Sequence, residues 1–176
     1  MSPAPALTPL ETERLTLRRR RVSDAAIHRQ LWTERDVRVP PHRRIDLEGR
    51  PTEEDIATQI REEHNASRPG LLAVERNNTG DLIGYCGLVF NGNGTNGEPE
   101  LAFEFLRAAH TCGYATVAGL AVITWAGAAG YRRLWAEVWD WNVASRRVLA
   151  KLGFRDTGRV NPETVHGQSL LTVLEF

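Results

Sequence analysis

The chain has 176 residues, 41% hydrophobic and 7% aromatic, a size that suits one domain burying roughly 70% of the surface its unfolded form exposes. Lys and Arg balance Asp and Glu at 22 each, which leaves none of the long-range field that nucleic-acid or acidic-membrane binders carry, so neither partner is expected. Two cysteines, Cys86 and Cys112, lack metal-ligand spacing and make no disulfide framework, and no window approaches the roughly 18 apolar residues of a membrane span.

A reducing, cytoplasmic setting fits this cysteine usage. The opening MSPAPALTPL lacks the basic start and continuous apolar segment of a signal peptide, so residues 1–10 are expected to be a flexible tail and 11–176 a single domain. RLTLR, residues 14–18, alternates apolar and polar side chains as a half-buried strand does. The four arginines 18–21 that close it read as a solvated strand end. Ser23 and Asp24 offer caps for a helix carrying Ala25, Ile27, Leu31 and Trp32. DVRVPPHRRIDLEGRP, 36–51, is a loop of the length often used for binding or as a lid. Thr52, with Asp55 three residues on, forms a variant capping box for a second helix whose inner face holds Ile56 and Ile60.

Three strands follow, 70–76, 81–90 and 98–106, joined by NNTG and NGNGTNG, and this turn chemistry predicts an antiparallel meander. A nearly all-apolar helix over 113–129, stopped by Gly130, should pack hard on the sheet. A strand at 133–140, a helix at 142–152 and strands at 153–160 and 169–176 complete the chain. The order gives an α+β fold with a mixed central sheet of about seven strands flanked by about four helices.

The turn HTCGYA at 110–115 places a glycine where the first amides of a helix lack partners, an anion site to which the helix dipole adds about 0.3–2 kcal/mol per charge. Phosphate suits it. No P-loop or dinucleotide fingerprint accompanies the turn, which leaves nucleotide binding poorly supported.

A second motif, WNVASRRVLAKLGF at 141–154, changes the reading. Together with HTCGYAT and the strand ELAFEFL, it resembles the GNAT superfamily of acyl-CoA-dependent N-acetyltransferases over about residues 12–176, and ETERLTLRR and NVASRRVLAKLGF resemble the RimJ/RimL-like ribosomal-protein N-terminal branch. The resemblance implies a sheet splayed at an acyl-CoA site, acetyl-CoA as cosubstrate and no metal. It implies backbone contacts to pantetheine from Phe105 and Leu106, and pyrophosphate contacts from the amides of Cys112, Gly113, Tyr114 and Ala115. His110 stands where the family has Gln or Arg, and Leu149 where many members place a tyrosine acid.

Glu100, Ala102 and Glu104 share one face of their strand, and Leu101, Phe103 and Phe105 the other. Either carboxylate is a candidate general base, with Glu104 the nearer to the thioester, and ordinary strand carboxylates are the alternative. Asn142 is a candidate pantetheine ligand and helix cap. Ser145, three residues later, is a candidate to deliver a proton to the leaving thiolate. His28, His42, His64 and His166 have no metal spacing and are expected at the surface or on the acceptor side, and a thiol mechanism at Cys112 lacks a base. The expected activity is acetyl transfer to a primary amine, either a protein N-terminus or a small amine, by a monomer or homodimer. The alternative is a non-catalytic acyl-CoA-binding sensor or regulatory module.

Overall fold

The computed structural model describes residues 7, 9–66, 68–90, 98–161 and 165–176, among which the alternating segments form eight strands. These are β1 (Leu10–Glu11), β2 (Leu15–Arg19), β3 (Leu71–Arg76), β4 (Leu82–Val89), β5 (Glu100–Phe105), β6 (Arg133–Trp139), β7 (Arg155–Asn161) and β8 (Ser169–Glu175). The α-helices are α1 (Ala25–Thr33), α2 (Glu53–His64), α3 (Tyr114–Ala128) and α4 (Val143–Lys151). Thr52 and Asp55 make the expected reciprocal capping box at α2, and Gly130 follows α3 with a φ of 88° that suits a residue without Cβ. The NGNGTNG turn lies outside the described residues.

One mixed sheet runs β1-β2-β3-β4-β5-β6-β8-β7. The strand beyond the expected seven is β1, where Leu10 pairs with Leu17, and Leu7 packs on the core. The meander β3-β4-β5 is antiparallel, as its turns require. β8 enters between β6 and β7 and pairs with β6 from Arg133–Glu175 to Trp139–Ser169. β5 and β6 are parallel neighbours in register only at Glu100–Trp135, and beyond it they part.

The main core lies between one sheet face and α3, where Ala118, Val122 and Ala126 meet Leu17, Val74, Leu88, Leu101 and Leu134. α3 is apolar almost all round, yet Leu120 remains on its exposed side. The small face of α3 at Gly119 receives Leu152, which seats the end of α4. Across the sheet, α1 and α2 bury Ala25, Ile56, Ala57 and Ile60. That second layer corrects the reading of arginines 18–21 as a solvated strand end for Arg18 and Arg20, while Arg19 and Arg21 are exposed as expected. Arg18 is buried and bonds Asp24 at 2.8 Å and Glu75 at 2.6 Å, while Arg20 is buried against Glu63. A guanidinium covered by helices needs such partners, because its lost hydration would otherwise go uncompensated.

Candidate active site

Where β5 leaves β6, it exposes a strip of backbone. Successive strand residues turn their N–H and C=O to opposite edges. Trp135 donates to the Pro99 carbonyl across the β6 edge, whereas Leu106 donates to Ile83 on the β4 side. Phe103 and Phe105 therefore turn their backbone groups into the gap. The Leu106 N–H is bonded to Ile83 at 2.9 Å, and its carbonyl accepts from Ala109 at 2.8 Å, which leaves that oxygen one further acceptor position. The His110 ring reaches back to the Phe105 carbonyl at 2.9 Å, and because a carbonyl can only accept, Nε2 carries the proton. The Phe105 carbonyl is thus engaged, and its N–H still faces the gap.

The turn after β5 ends with Gly113 in the left-handed region at φ 79°, immediately before α3. Thr111 also has positive φ, 61°, an uncommon conformation for a β-branched residue. The turn is held from outside. Arg14, in the segment joining β1 and β2, donates to the Cys112 carbonyl at 2.9 Å and lays its guanidinium over the Tyr114 ring at 4.5 Å. The first helical bond of α3 runs from Val117 to Gly113, so the amides of Tyr114, Ala115 and Thr116 have no partner within the helix. Cys112 is exposed and free.

Of the two carboxylates on the other face of β5, Glu100 is buried and Glu104 is partly buried. Glu100 is 5% exposed, at the point where β5 and β6 still pair. Glu104 accepts Arg35 Nε on Oε1 at 2.8 Å, Arg35 Nη2 on Oε2 at 2.7 Å and the Tyr85 hydroxyl on Oε2 at 2.9 Å. With two lone pairs on each oxygen, that leaves Oε1 one further acceptor position. Burial opposes the Arg35 charge, but the bonds it donates to Glu104 prevail and raise its pKa. Burial pushes the Tyr85 phenol up, so it remains a donor. Arg35 also covers the Trp32 ring at 4.0 Å and donates to the Arg43 carbonyl at 2.7 Å, which ties the loop after α1 to this cluster. His28, expected at the surface or on the acceptor side, is not at the surface: it is buried and stacked on Tyr85, the residue that bonds Glu104, with centroids 5.9 Å apart.

Across the gap, Asn142 caps α4 by accepting from Ser145 N at 3.1 Å, and this leaves its side-chain NH2 available. The Ser145 hydroxyl is on the same turn. Leu149 is buried in the core, so the position of the family's tyrosine is filled with packing. Trp139, at the end of β6, lies nearly parallel to Trp141, and Arg38 from the loop after α1 stands over Trp141 at 4.2 Å. Arg14, Arg35, Arg38, Tyr85 and Trp141 were not among the sequence-derived candidates. Tyr85 alone had a legible signal, because a regular β4-β5 hairpin sets it opposite Glu104.

Residues 14–155 match the family model described as acetyltransferase (GNAT) domain. No curated protein sequence matches the chain. Among solved structures, the chain is similar to a GNAT-family acetyltransferase from Bacillus anthracis at 20% identity and TM-score 0.74, over 95% of this chain and 98% of that one. It is similar to a ribosomal-protein-S5-alanine acetyltransferase from Vibrio fischeri at 19% identity and TM-score 0.63, over 95% and 96%. A third similar structure is a putative acetyltransferase from Salmonella typhimurium with its cofactor acetyl-CoA, at 19% identity and TM-score 0.65, over 92% and 93%. With the family match spanning most of its length and the splayed sheet in place, the chain belongs to the GNAT acetyltransferases and is an acetyl-CoA-dependent acyltransferase.

Proposed function

We propose that the chain transfers the acetyl group of acetyl-CoA to a primary amine, a protein N-terminus or a small amine, by direct attack. One observation supports the reading: β5 and β6 part after Glu100–Trp135, which leaves the Phe103 and Phe105 backbone edge without a strand partner on the β6 side. A pantetheine arm is itself an amide chain and can pair with such an edge as a short strand does. The open amides at 112–116 suit the pyrophosphate, because a helix N-terminus offers both donors and a favourable dipole.

Acetyl-CoA supplies the acyl group, and the residues around the gap divide the remaining work. The Phe105 N–H meets the charge that develops on the acyl oxygen, an interaction worth about 2.7–4 kcal/mol in known oxyanion holes. Asn142 holds the arm through its side-chain NH2. Ser145 places a hydroxyl, or a water held by it, beside the departing sulfur. The remaining acceptor position of Glu104 Oε1 takes the proton of the amine, directly or through water. Glu100 lies four residues back, roughly 13 Å along the strand, and serves the fold more than the amine. Among acceptors, a protein N-terminus draws support from the RimJ/RimL-like motifs at 11–19 and 142–154, and from the similar ribosomal-protein acetyltransferase structure. The protein acts in the cytoplasm as a monomer or homodimer.

Thiol release in the presence of acetyl-CoA and an amine panel, including ribosomal-protein N-terminal peptides, tests the reading. Amine-dependent release above spontaneous hydrolysis is expected. Saturable acetyl-CoA binding with no release by any amine would establish the non-catalytic module instead.

A further inference from the structure

The loop between α1 and α2 borders an open cavity of about 400 Å³, with Trp32 and Pro51 on its apolar side and Arg44, Asp46, Arg50 and Asp55 on its charged side. The Arg35 guanidinium fixes where this cavity stands. Its Nε and Nη2 hold Glu104 at 2.8 and 2.7 Å, its Nη1 donates to the Arg43 carbonyl at 2.7 Å, and its Cζ lies over the Trp32 ring at 4.0 Å. One guanidinium therefore separates the Glu104 carboxylate from a wall of the cavity and from the peptide that leads into Arg44. The Arg43 charge also acts on the Tyr85 phenol, which bonds Glu104.

The charges around the cavity leave Arg44 without a partner. Asp46 accepts the Arg50 backbone N–H at 2.7 Å and lies 3.3 Å from its Nε, and Glu48 is 3.9 Å from the same guanidinium. Asp55 accepts the Thr52 N–H at 2.7 Å and its hydroxyl at 2.9 Å, and Arg50 acts on it as well. Arg29 stands behind the loop, where it donates to the Gly49 and Pro51 carbonyls at 2.9 and 3.1 Å and brings a further positive charge. Arg44 is half-buried, and its Nε is closed off from solvent with no hydrogen-bond partner. Such a donor costs free energy that an anion recovers, and a guanidinium fork matches a carboxylate in two bonds. We propose that the cavity holds the carboxylate of an amino-carboxylate acceptor, with Arg44 as its anchor and the reacting amine at Glu104. The inference rests on the acetyl-transfer reading. The chain joining the two groups passes Arg35 along Trp32, a span of roughly 7–10 Å that two or three extended residues, or 6-aminohexanoate, can cover.

6-Aminohexanoate and 6-aminohexanamide have the same length and the same amine and differ in the charge of the far end. NMR titrations of the acetyl-CoA-free protein with each, read on the ligand signals and on the Trp32 indole N–H, measure binding without requiring turnover. The carboxylate should bind about three- to tenfold more tightly than the amide and move the Trp32 resonance. Hexanoate, which lacks the amine, should bind more weakly than 6-aminohexanoate because it gives up the contact at Glu104. Arg44→Gln should make carboxylate and amide equivalent, and Arg44→Lys should keep part of the preference. Equal affinities for the two in the unaltered protein, an undiminished preference in Arg44→Gln, or hexanoate binding as tightly as 6-aminohexanoate would overturn the proposal. The comparisons in the unaltered protein decide it even if Arg44→Gln fails to fold. Thiol release in the same samples with acetyl-CoA added tests acetyl transfer separately, so absence of release with the carboxylate preference intact would sink only the parent reading.

Discussion

Glu104 receives two bonds from Arg35 and one from Tyr85, so a change there disturbs a cluster as well as a proton acceptor. Glu104→Gln retains one oxygen for the guanidinium but gives up the charge. It should lower kcat/KM at least about tenfold at pH 7 with partial recovery at higher pH, whereas Glu100→Gln should lower it less. A pH–rate series on both variants, with acetyl-CoA affinity measured alongside, decides it; full activity in Glu104→Gln would remove that residue from proton transfer. His28 makes a prediction about stability. Burial, reinforced by Arg20, pushes its imidazole down to about 4, so the folded protein keeps it neutral at pH 7. The unfolded chain titrates near the ordinary value of about 6.5 and binds more protons between the two values. Stability is thus fully present above that window and falls as the pH is lowered through it, by at most about 1.4 kcal/mol per unit. Urea unfolding of His28→Leu should show a flatter dependence between pH 6.5 and pH 4; an unchanged slope would assign the effect to other groups. The alternation in β5 was legible, and with it the shared face of the two carboxylates. The burial of His28, Arg18 and Arg20 was not, because the elements that cover them are brought there by tertiary packing.

The strand β4 carries a constraint with no counterpart in local sequence patterns. A Cβ on Gly84 would stand 2.3 Å from the Glu104 carbonyl oxygen and 2.9 Å from the Phe105 Cα, both rigid backbone atoms. Gly84→Ala should destabilise the protein by about 1–3 kcal/mol and also weaken acetyl-CoA binding, because β5 must shift at the edge that faces the gap. Loss of stability with unchanged affinity would show that the edge absorbs the shift elsewhere. At the start of α3, Gly113→Val forces a β-branched residue to φ 79° beside Arg14 and obstructs the open amides. A folded variant is expected to lose the rise in Tm that acetyl-CoA gives the unaltered protein, and a retained rise would remove the turn from the site. This glycine was readable from sequence because a helix start has its own signature. Gly84 was not, because a glycine in a strand looks the same whether a backbone crosses it or solvent does.

Across the whole molecule, β1–β5 form one half of the sheet and β6, β8 and β7 the other, joined in register at Glu100–Trp135. A ligand that fills the gap binds only the folded state and should add about 2.7 kcal/mol at a hundredfold excess over Kd. Hydrogen exchange should slow at Phe103, Phe105 and 112–116 together when acetyl-CoA is added; protection confined to the turn would mean that the arm does not pair with β5. The meander was legible because its strands are sequence neighbours joined by turn residues. The placement of β8 was not, since β7 and β8 pair in either order and nothing local states which of them meets β6. That placement also sets the order in which the site can come into being during synthesis. The β2–β5 half-sheet is complete in sequence before α3 has been made. β6 emerges next with little of its edge matched to β5, and its long partner is β8. The wall that carries Trp139, Trp141 and Asn142 is therefore steadied only after residues 169–175 have left the ribosome. Until then the β5 edge lacks a steadied opposite wall, so the last strand of the chain is the one that completes the cleft.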